Sequence, residues 1–331
     1  MKASDLGERG IIELIWSVIR AKAGSRAVDS MALPPPDDAS ALRMADGTFL
    51  VLKTDAFAKK TDAPKGMRHY QMGWKAVTMN ISDLAAKGAR PEAFMFSLNI
   101  PRRYSGSLIR SLVSGISDAS NEYRAPVLGG DVGEAGELIV AGFAVGIAKN
   151  LVKRSGAKPG DILAVTGPFG DTASAFKILL EGADSPPPLR RALCRSVYRP
   201  RARAKVGAAL ADSCALTSCM DSSDGLAFTL NELAKSSGVG FVLSVLPVSD
   251  LAKEFAALQK VQAWDLALFG GEEYELVFTV KPGLWDRAVG AARAAGCEII
   301  RIGEAVSGSK VVLADGSGER EIPHKGWEHL R

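Results

Sequence analysis

Asn80-Ile81-Ser82-Asp83-Leu84-Ala85-Ala86-Lys87-Gly88-Ala89 is the stretch on which the fold of this 331-residue chain turns. It ends a long helix predicted over Tyr70 to Lys87 and stopped at Gly88, because glycine takes the left-handed backbone that terminates helices. Just before the stop, a hydroxyl and an acid stand side by side as Ser82-Asp83. The same kind of junction, an acid beside Gly, Ser or Thr, recurs at Asp37-Asp38, Thr54-Asp55, Gly129-Gly130-Asp131, Asp221-Ser222-Ser223-Asp224-Gly225 and Gly270-Gly271-Glu272-Glu273. Each one alone reads as an Asx-turn or a helix cap. As a set spread over both halves of the chain, they supply hydroxyls and amides for phosphate oxygens and hard carboxylate ligands for Mg²⁺. Acids would repel a polyphosphate, so a shared site requires bridging metal ions.

Outward from this helix, strands and helices alternate without a regular βαβ rhythm. Residues 7–20 read as an amphipathic helix with Ile11, Ile12, Ile15, Val18 and Ile19 on one face. Residues 24–47 read as loop. Strands are expected at Phe49–Lys53, Ala93–Asn99, Pro126–Leu128 and Leu138–Ile147, with a helix over Ser107–Tyr123. The polar, turn-rich run Lys153-Arg154-Ser155-Gly156-Ala157-Lys158-Pro159-Gly160 marks a boundary, giving domains 1–150 and 151–331. Beyond it, a strand is expected at Asp161–Thr166 and helices at Gly170–Leu180, 200–213 and 224–236, the last opened by Asp221-Ser222-Ser223-Asp224 as a capping sequence. Further strands are expected at Val239–Val245, Glu275–Val280 and Lys310–Leu313, and a helix over Gly283–Ala295. Both halves are therefore expected to be α+β.

Composition narrows the function classes. With 47% hydrophobic and 24% charged residues the chain is globular, and no apolar run is long enough for a membrane span. The polar start, Met1 to Glu8, is no signal peptide, so a cytoplasmic location is expected. A net charge of +4 without a Lys/Arg stripe argues against nucleic acid as a partner. The basic run Arg190, Arg191, Arg195, Arg199, Arg201 and Arg203 reads as a solvated helix face. Cys194, Cys214, Cys219 and Cys297 form no metal-binding or redox pair. The phosphate loop G-x-x-x-x-G-K-[ST], the dinucleotide G-x-G-x-x-G before a helix and the kinase H-R-D and D-F-G strings are all missing. Any ATP chemistry must use another fold.

In their order along the chain, Thr54-Asp55, the Asn80–Ala89 string, Gly129-Gly130-Asp131, Arg154–Asp161, Asp221–Leu226, Gly270-Gly271-Glu272-Glu273-Tyr274-Glu275-Leu276 and Gly326-Trp327-Glu328-His329 resemble the thiamine-monophosphate kinase family. The resemblance spans essentially the whole chain. It implies the two-domain α+β fold of the aminoimidazole ribonucleotide synthetase superfamily, with an N-terminal domain that dimerises through a β-barrel. It also implies transfer of the ATP γ-phosphoryl group to thiamine monophosphate, giving thiamine diphosphate, with several Mg²⁺ ions as cofactor. Position by position, Asp38, Thr54, Asp55, Asp83, Asp131, Asp221 and Asp224 resemble the metal-binding residues. Gly130, Asp131, Arg154 and Ser223 resemble nucleotide contacts, and Asp62, Glu272 and Trp327 fall where the family contacts thiamine phosphate. Asp131, Arg154 and Asp221 are the expected catalytic groups. Glu273 stands where aspartate is commoner in the family, and Asp62 where many members have histidine. The alternatives are another ATP-using enzyme of the superfamily, or a non-catalytic nucleotide-binding regulator. No cysteine precedes Cys194, which argues against selenophosphate synthetase chemistry.

Overall fold

The structure, a computed structural model, describes residues 2–23, 31–33, 35–315 and 318–327. In chain order its N-terminal half holds α1 (Ala3–Ala23), β1 (Ser40–Arg43), β2 (Phe49–Ala58), α2 (Lys59–Asp62), α3 (His69–Ala86), β3 (Arg90–Ile100), α4 (Gly106–Glu122), β4 (Val127–Glu134) and β5 (Ile139–Ala148). The C-terminal half holds β6 (Ile162–Val165), α5 (Asp171–Leu180), α6 (Pro187–Tyr198), α7 (Ala204–Asp212), β7 (Leu216–Asp221), α8 (Leu226–Ser237), β8 (Gly240–Leu243), α9 (Asp250–Gln259), α10 (Ala263–Phe269), β9 (Leu276–Val280), α11 (Trp285–Ala294), β10 (Ile300–Val306), β11 (Val311–Asp315) and β12 (Gly318–Glu321).

Two sheets result, one from each half. The first has the order β1-β2-β5-β3-β4, the second β12-β11-β8-β10-β6-β9-β7. In the first, only β3 and β4 run parallel, and in the second only β8 and β11. Helix α3 lies between the sheets, packed on β2 and β5 on one side and on α7 and β7 on the other. It is buried nearly all round, from Met72 to Ala86 with Met79 only partly covered. A helix sealed on every face belongs to the middle of a core, and this one joins the two halves.

Helix α4 crosses α3 at very close range because two glycines meet there. A Cβ on Gly73 would sit 2.1 Å from the Leu112 carbonyl oxygen, and one on Gly115 1.9 Å from that of Tyr70. Trp74 Nε1 donates to the Pro200 carbonyl at 2.8 Å, and the Arg199 guanidinium lies 4.1 Å over its ring.

Several expectations are corrected here. The segment expected as loop contains β1, because four residues paired on β2 are too short to show a periodic pattern; residues 24–30 and 34 of that segment lie outside the described residues. The amphipathic helix forms as α1, but Ile12, Ile15, Val18 and Ile19 stand exposed rather than buried. Arg203 of the basic run is not part of a solvated face, because its Nε donates to the buried Glu275 carboxylate at 2.7 Å; Arg199 stays exposed while its guanidinium lies over Trp74. The residue that caps α8 is Gly225, without a side-chain bond, because Asp221 closes β7 and is turned to the site instead. Among the described residues no helix is long and apolar enough to cross a membrane.

The α3–α4 contact can be tested directly. Gly73→Ala should destabilise the fold by about 1–3 kcal/mol through overpacking, read as a lower urea midpoint at unchanged slope.

Candidate active site

A cleft of about 410 Å³ opens where the two sheets meet beside α3. It is lined by Asp38, Asp55, Asp62, Asp83, Arg154, Asp221, Ser223, Asp224, Glu272 and Trp327, ten of the expected site residues. They arrive on several different elements. Asp55 comes from β2, Asp83 from the last turn of α3, Asp221 from the end of β7, and Asp224 from the turn into α8. One carboxylate oxygen each of Asp38, Asp83 and Asp221 lies within 4.8 Å of the others.

Cations hold this cluster together. Lys87, the cap residue of α3, is fully buried, with its Nζ 2.5 Å from Asp37 Oδ1, 2.7 Å from Asp38 Oδ2 and 3.0 Å from the Cys219 carbonyl oxygen. Arg154 Nε donates to Asp38 Oδ1 at 2.8 Å. Burial alone would raise the Asp38 carboxyl, but Arg154 and Lys87 hold it below its ordinary value. Lys53 Nζ stands 3.0 Å from Asp83 Oδ2 and donates to the Asp38 carbonyl at 3.2 Å. Ser82 Oγ donates to Asp221 Oδ2 at 2.6 Å.

Beyond these pairs the site is short of positive charge. Burial, with Asp38 adding repulsion, pushes the Asp221 carboxyl up to about 6. Burial and the neighbouring Asp221 push Asp224 up to about 7. Asp83 is raised well above its usual range by burial, in spite of Lys53, with Asp221, Asp38 and Asp55 adding to the rise. An all-oxygen set carrying unneutralised repulsion is what a hard divalent cation fits.

At the other end of the cleft, Lys75 is buried and donates to Glu272 Oε1 at 2.5 Å and to the Asp62 carbonyl at 2.7 Å. The Asp62 carboxylate accepts from the Ala58 amide at 2.6 Å, so it braces the short helix α2 while lining the cleft. Glu272 Oε2 is buried without a hydrogen-bond partner among the described residues. The C-terminal segment crosses Asp224: the Trp327 amide donates to the Asp224 carbonyl at 3.1 Å. A Cβ on Gly326 would lie 2.6 Å from that same oxygen, so only glycine permits the crossing. Trp327 itself lines the cleft and is 60% exposed. Glu328 and His329 lie outside the described residues.

Three expected residues stand apart. Thr54 falls between Lys53 and Asp55 on β2, on the opposite face by strand alternation, and its hydroxyl donates to the Gly142 carbonyl at 2.8 Å. Gly130 and Asp131 lie exposed on β4, the edge strand of the first sheet. Asp55, Gly142, Phe96 and Gly130 share one rung across β2, β5, β3 and β4. Three strand spacings therefore separate Gly130 from Asp55, about 14 Å.

Four participants were missed at the level of sequence: Lys53, Lys75, Lys87 and Glu232. Glu232 of α8 lies 3.9 Å from Arg154, 3.5 Å from Arg9 of α1 and 3.0 Å from His324 of the tail. A lysine on a helix or strand carries no local mark of its future partner, although Lys87 inside the quoted string was a usable signal. Glu273, next to Glu272, points elsewhere. Its carboxylate accepts from the Gly170 and Thr172 amides at 2.7 and 3.3 Å, at the N-terminus of α5.

Comparison with known proteins agrees with this geometry. Residues 36–148 match the AIR synthase related protein N-terminal domain, and residues 158–316 the corresponding C-terminal domain. The chain is thus built as an AIR synthase related protein. It is 35% identical to the thiamine-monophosphate kinase of Pyrococcus abyssi, over 89% of this chain and 90% of the relative. It is 34% identical to that of Bacillus subtilis, over 78% and 81% respectively. The solved structure of AaThiL complexed with AMPPCP and TMP superposes with a TM-score of 0.85, at 29% identity over 99% of each chain. Within that class, the chain belongs to the thiamine-monophosphate kinase family.

Burial pushes Glu273 up to about 8 in spite of its two amide partners. A carboxyl raised above its unfolded value binds its proton more tightly when folded, so its stabilisation is lost as pH rises from about 4.5 to 8. Glu273→Gln keeps the amide-accepting oxygen. It should flatten the decline of the melting temperature over that window, as followed by circular dichroism.

Proposed function

We propose that this protein transfers the γ-phosphoryl group of ATP to the phosphate of thiamine monophosphate, releasing thiamine diphosphate and ADP. The observation that carries the reading is the convergence of Asp38, Asp83 and Asp221, from both halves of the chain, in a cleft that also holds Arg154, Ser223, Glu272 and Trp327. In the family whose members carry the name thiamine-monophosphate kinase, such a cleft must bring two phosphate groups together.

Asp38, Asp55, Asp83, Asp221 and Asp224 would hold Mg²⁺, and the observed donor set fits it. When bound, the metal would supply positive charge that offsets the charge developing on the phosphate oxygens in transfer. Arg154, fixed by Asp38, places a permanent cation at the nucleotide end, beside Ser223. Lys87 and Ser82 keep Asp38 and Asp221 oriented. The acceptor is a phosphate oxygen, already anionic at neutral pH, so the chain needs no strong general base, and among the described residues no histidine lines the cleft. Transfer is direct and in line, with no phosphoenzyme. At the substrate end the exposed indole of Trp327 suits the flat thiazolium cation, and Glu272 Oε2 suits an amino donor of the pyrimidine.

Residues 1–150 and 151–331 act as the two domains, and the working unit is a homodimer in the cytoplasm. The first sheet exposes Met95, Leu128, Val132 and Phe143, apolar side chains suited to closing a β-barrel with a second copy. Gly130 and Asp131 lie at that seam, and their part in nucleotide and metal binding is assigned to the dimer.

The direct test is incubation with ATP, Mg²⁺ and thiamine monophosphate, followed by chromatography. Thiamine diphosphate and ADP should appear in equal amounts, and EDTA should abolish both. ATP consumption without thiamine diphosphate would refute the acceptor. Asp221→Asn should lower turnover by a hundredfold or more, about 2.7 kcal/mol of transition-state stabilisation, while the protein stays folded.

Trp327→Ala should raise KM for thiamine monophosphate about 2- to 30-fold, the equivalent of about 0.5–2 kcal/mol of cation–π stacking. KM for ATP should stay nearly unchanged, because the variant keeps the backbone amide that ties the tail to the Asp224 carbonyl. Equal weakening of both substrates would make the ring a structural anchor only.

A further inference from the structure

Two lysines serve the carboxylate cluster, and they are built differently. Lys87 is sealed in the core with its ammonium directed to Asp37, Asp38 and the Cys219 carbonyl, which accounts for its three N–H donors. Lys53 instead lines the cleft, with its side chain 22% exposed. It stands two residues before Asp55 on β2, so both side chains project from the same face of the strand. Its ammonium lies 3.0 Å from Asp83 Oδ2 and 3.2 Å from the Asp38 carbonyl oxygen. Those are a carboxylate oxygen and a carbonyl oxygen, the oxygen pair that a hard cation also selects.

We propose that the Lys53 ammonium is a resident cation of this cluster, filling a position between Asp83 and Asp38 that a divalent ion would otherwise take, so that the nucleotide-free chain loads one metal ion fewer than its carboxylates could hold. The inference rests on the metal-binding reading above. A fixed charge in that place repels a second cation beside it, and it lies on the cleft wall that a phosphate would face. Lys53 is thereby a positioning residue whose charge needs no metal to be present.

The test is titration of the nucleotide-free, full-length protein with Mn²⁺, by calorimetry and by electron paramagnetic resonance of the free ion. Lys53→Met should bind one more Mn²⁺ per chain than the wild type, or the same number at least about tenfold more tightly. Lys53→Arg, which keeps the charge, should match the wild type. Equal number and affinity in wild type and Lys53→Met would overturn the proposal and leave the metal site itself intact. No Mn²⁺ bound to either protein would overturn both. Removing Lys53 leaves Asp83 without its cation, so the Met variant can lose stability in EDTA. In that event Mn²⁺ should restore a cooperative melt close to that of the wild type, and failure to restore it would overturn the proposal.

Discussion

The pairing of buried Lys87 with Asp37 and Asp38 is the interaction on which the rest depends. Carboxylates from remote parts of the chain repel one another when drawn together, and in a low-dielectric interior the repulsion is large. Lys87 cancels part of it from behind, in the core, where its ammonium also reaches the carbonyl of Cys219 on β7. One side chain at the end of α3 thereby ties the segment before β1 to the second sheet. Removing one partner from a buried set of this kind typically costs about 3–5 kcal/mol, because the other charge is left unpaired.

Helix α3 is the beam that carries these connections. Lys75 near its start meets Glu272, Ser82 meets Asp221, Asp83 meets Lys53, and Lys87 follows at its cap. Three lie within one helix of 18 residues and the fourth caps it, so their mutual spacing is set by the 1.5 Å rise per residue. The Asp221 end and the Glu272 end of the cleft are therefore measured along the same rigid element. The glycine contact with α4 and the anchoring of Trp74 to Pro200 hold that element in place.

Charge in the cleft is graded. The Asp38 end is compensated by Lys87 and Arg154, and its carboxyl sits low; the Asp221 and Asp224 end is not, and theirs sit near neutrality. Arg154 extends the compensated end through Glu232 to Arg9 and His324, so that the first helix and the last segment of the chain meet on one buried acid. The cleft thus borrows its walls from both termini.

Much of this was legible in the sequence. The helix ending at Gly88 and most of the strands follow from local periodicity and punctuation, because those signals depend only on neighbours along the chain. The acid-bearing junctions were legible too, and Asp38, Asp55, Asp83, Asp221 and Asp224 do line one cleft. Their partners were not. Nothing next to Lys53, Lys75 or Lys87 in the chain indicates which acid each will meet, and Glu232 reads as one more polar position on a helix. Thr54 sits one residue from two cleft-lining side chains, yet strand alternation turns it away. Gly130 and Asp131 share the local pattern of the other junctions but fall on an edge strand, about 14 Å across the sheet. The sequence by itself determined which groups could serve as ligands, because that is a matter of residue chemistry. Which of them converge, and which are held charged, was decided only by the tertiary structure, because distance and burial arise when remote segments pack.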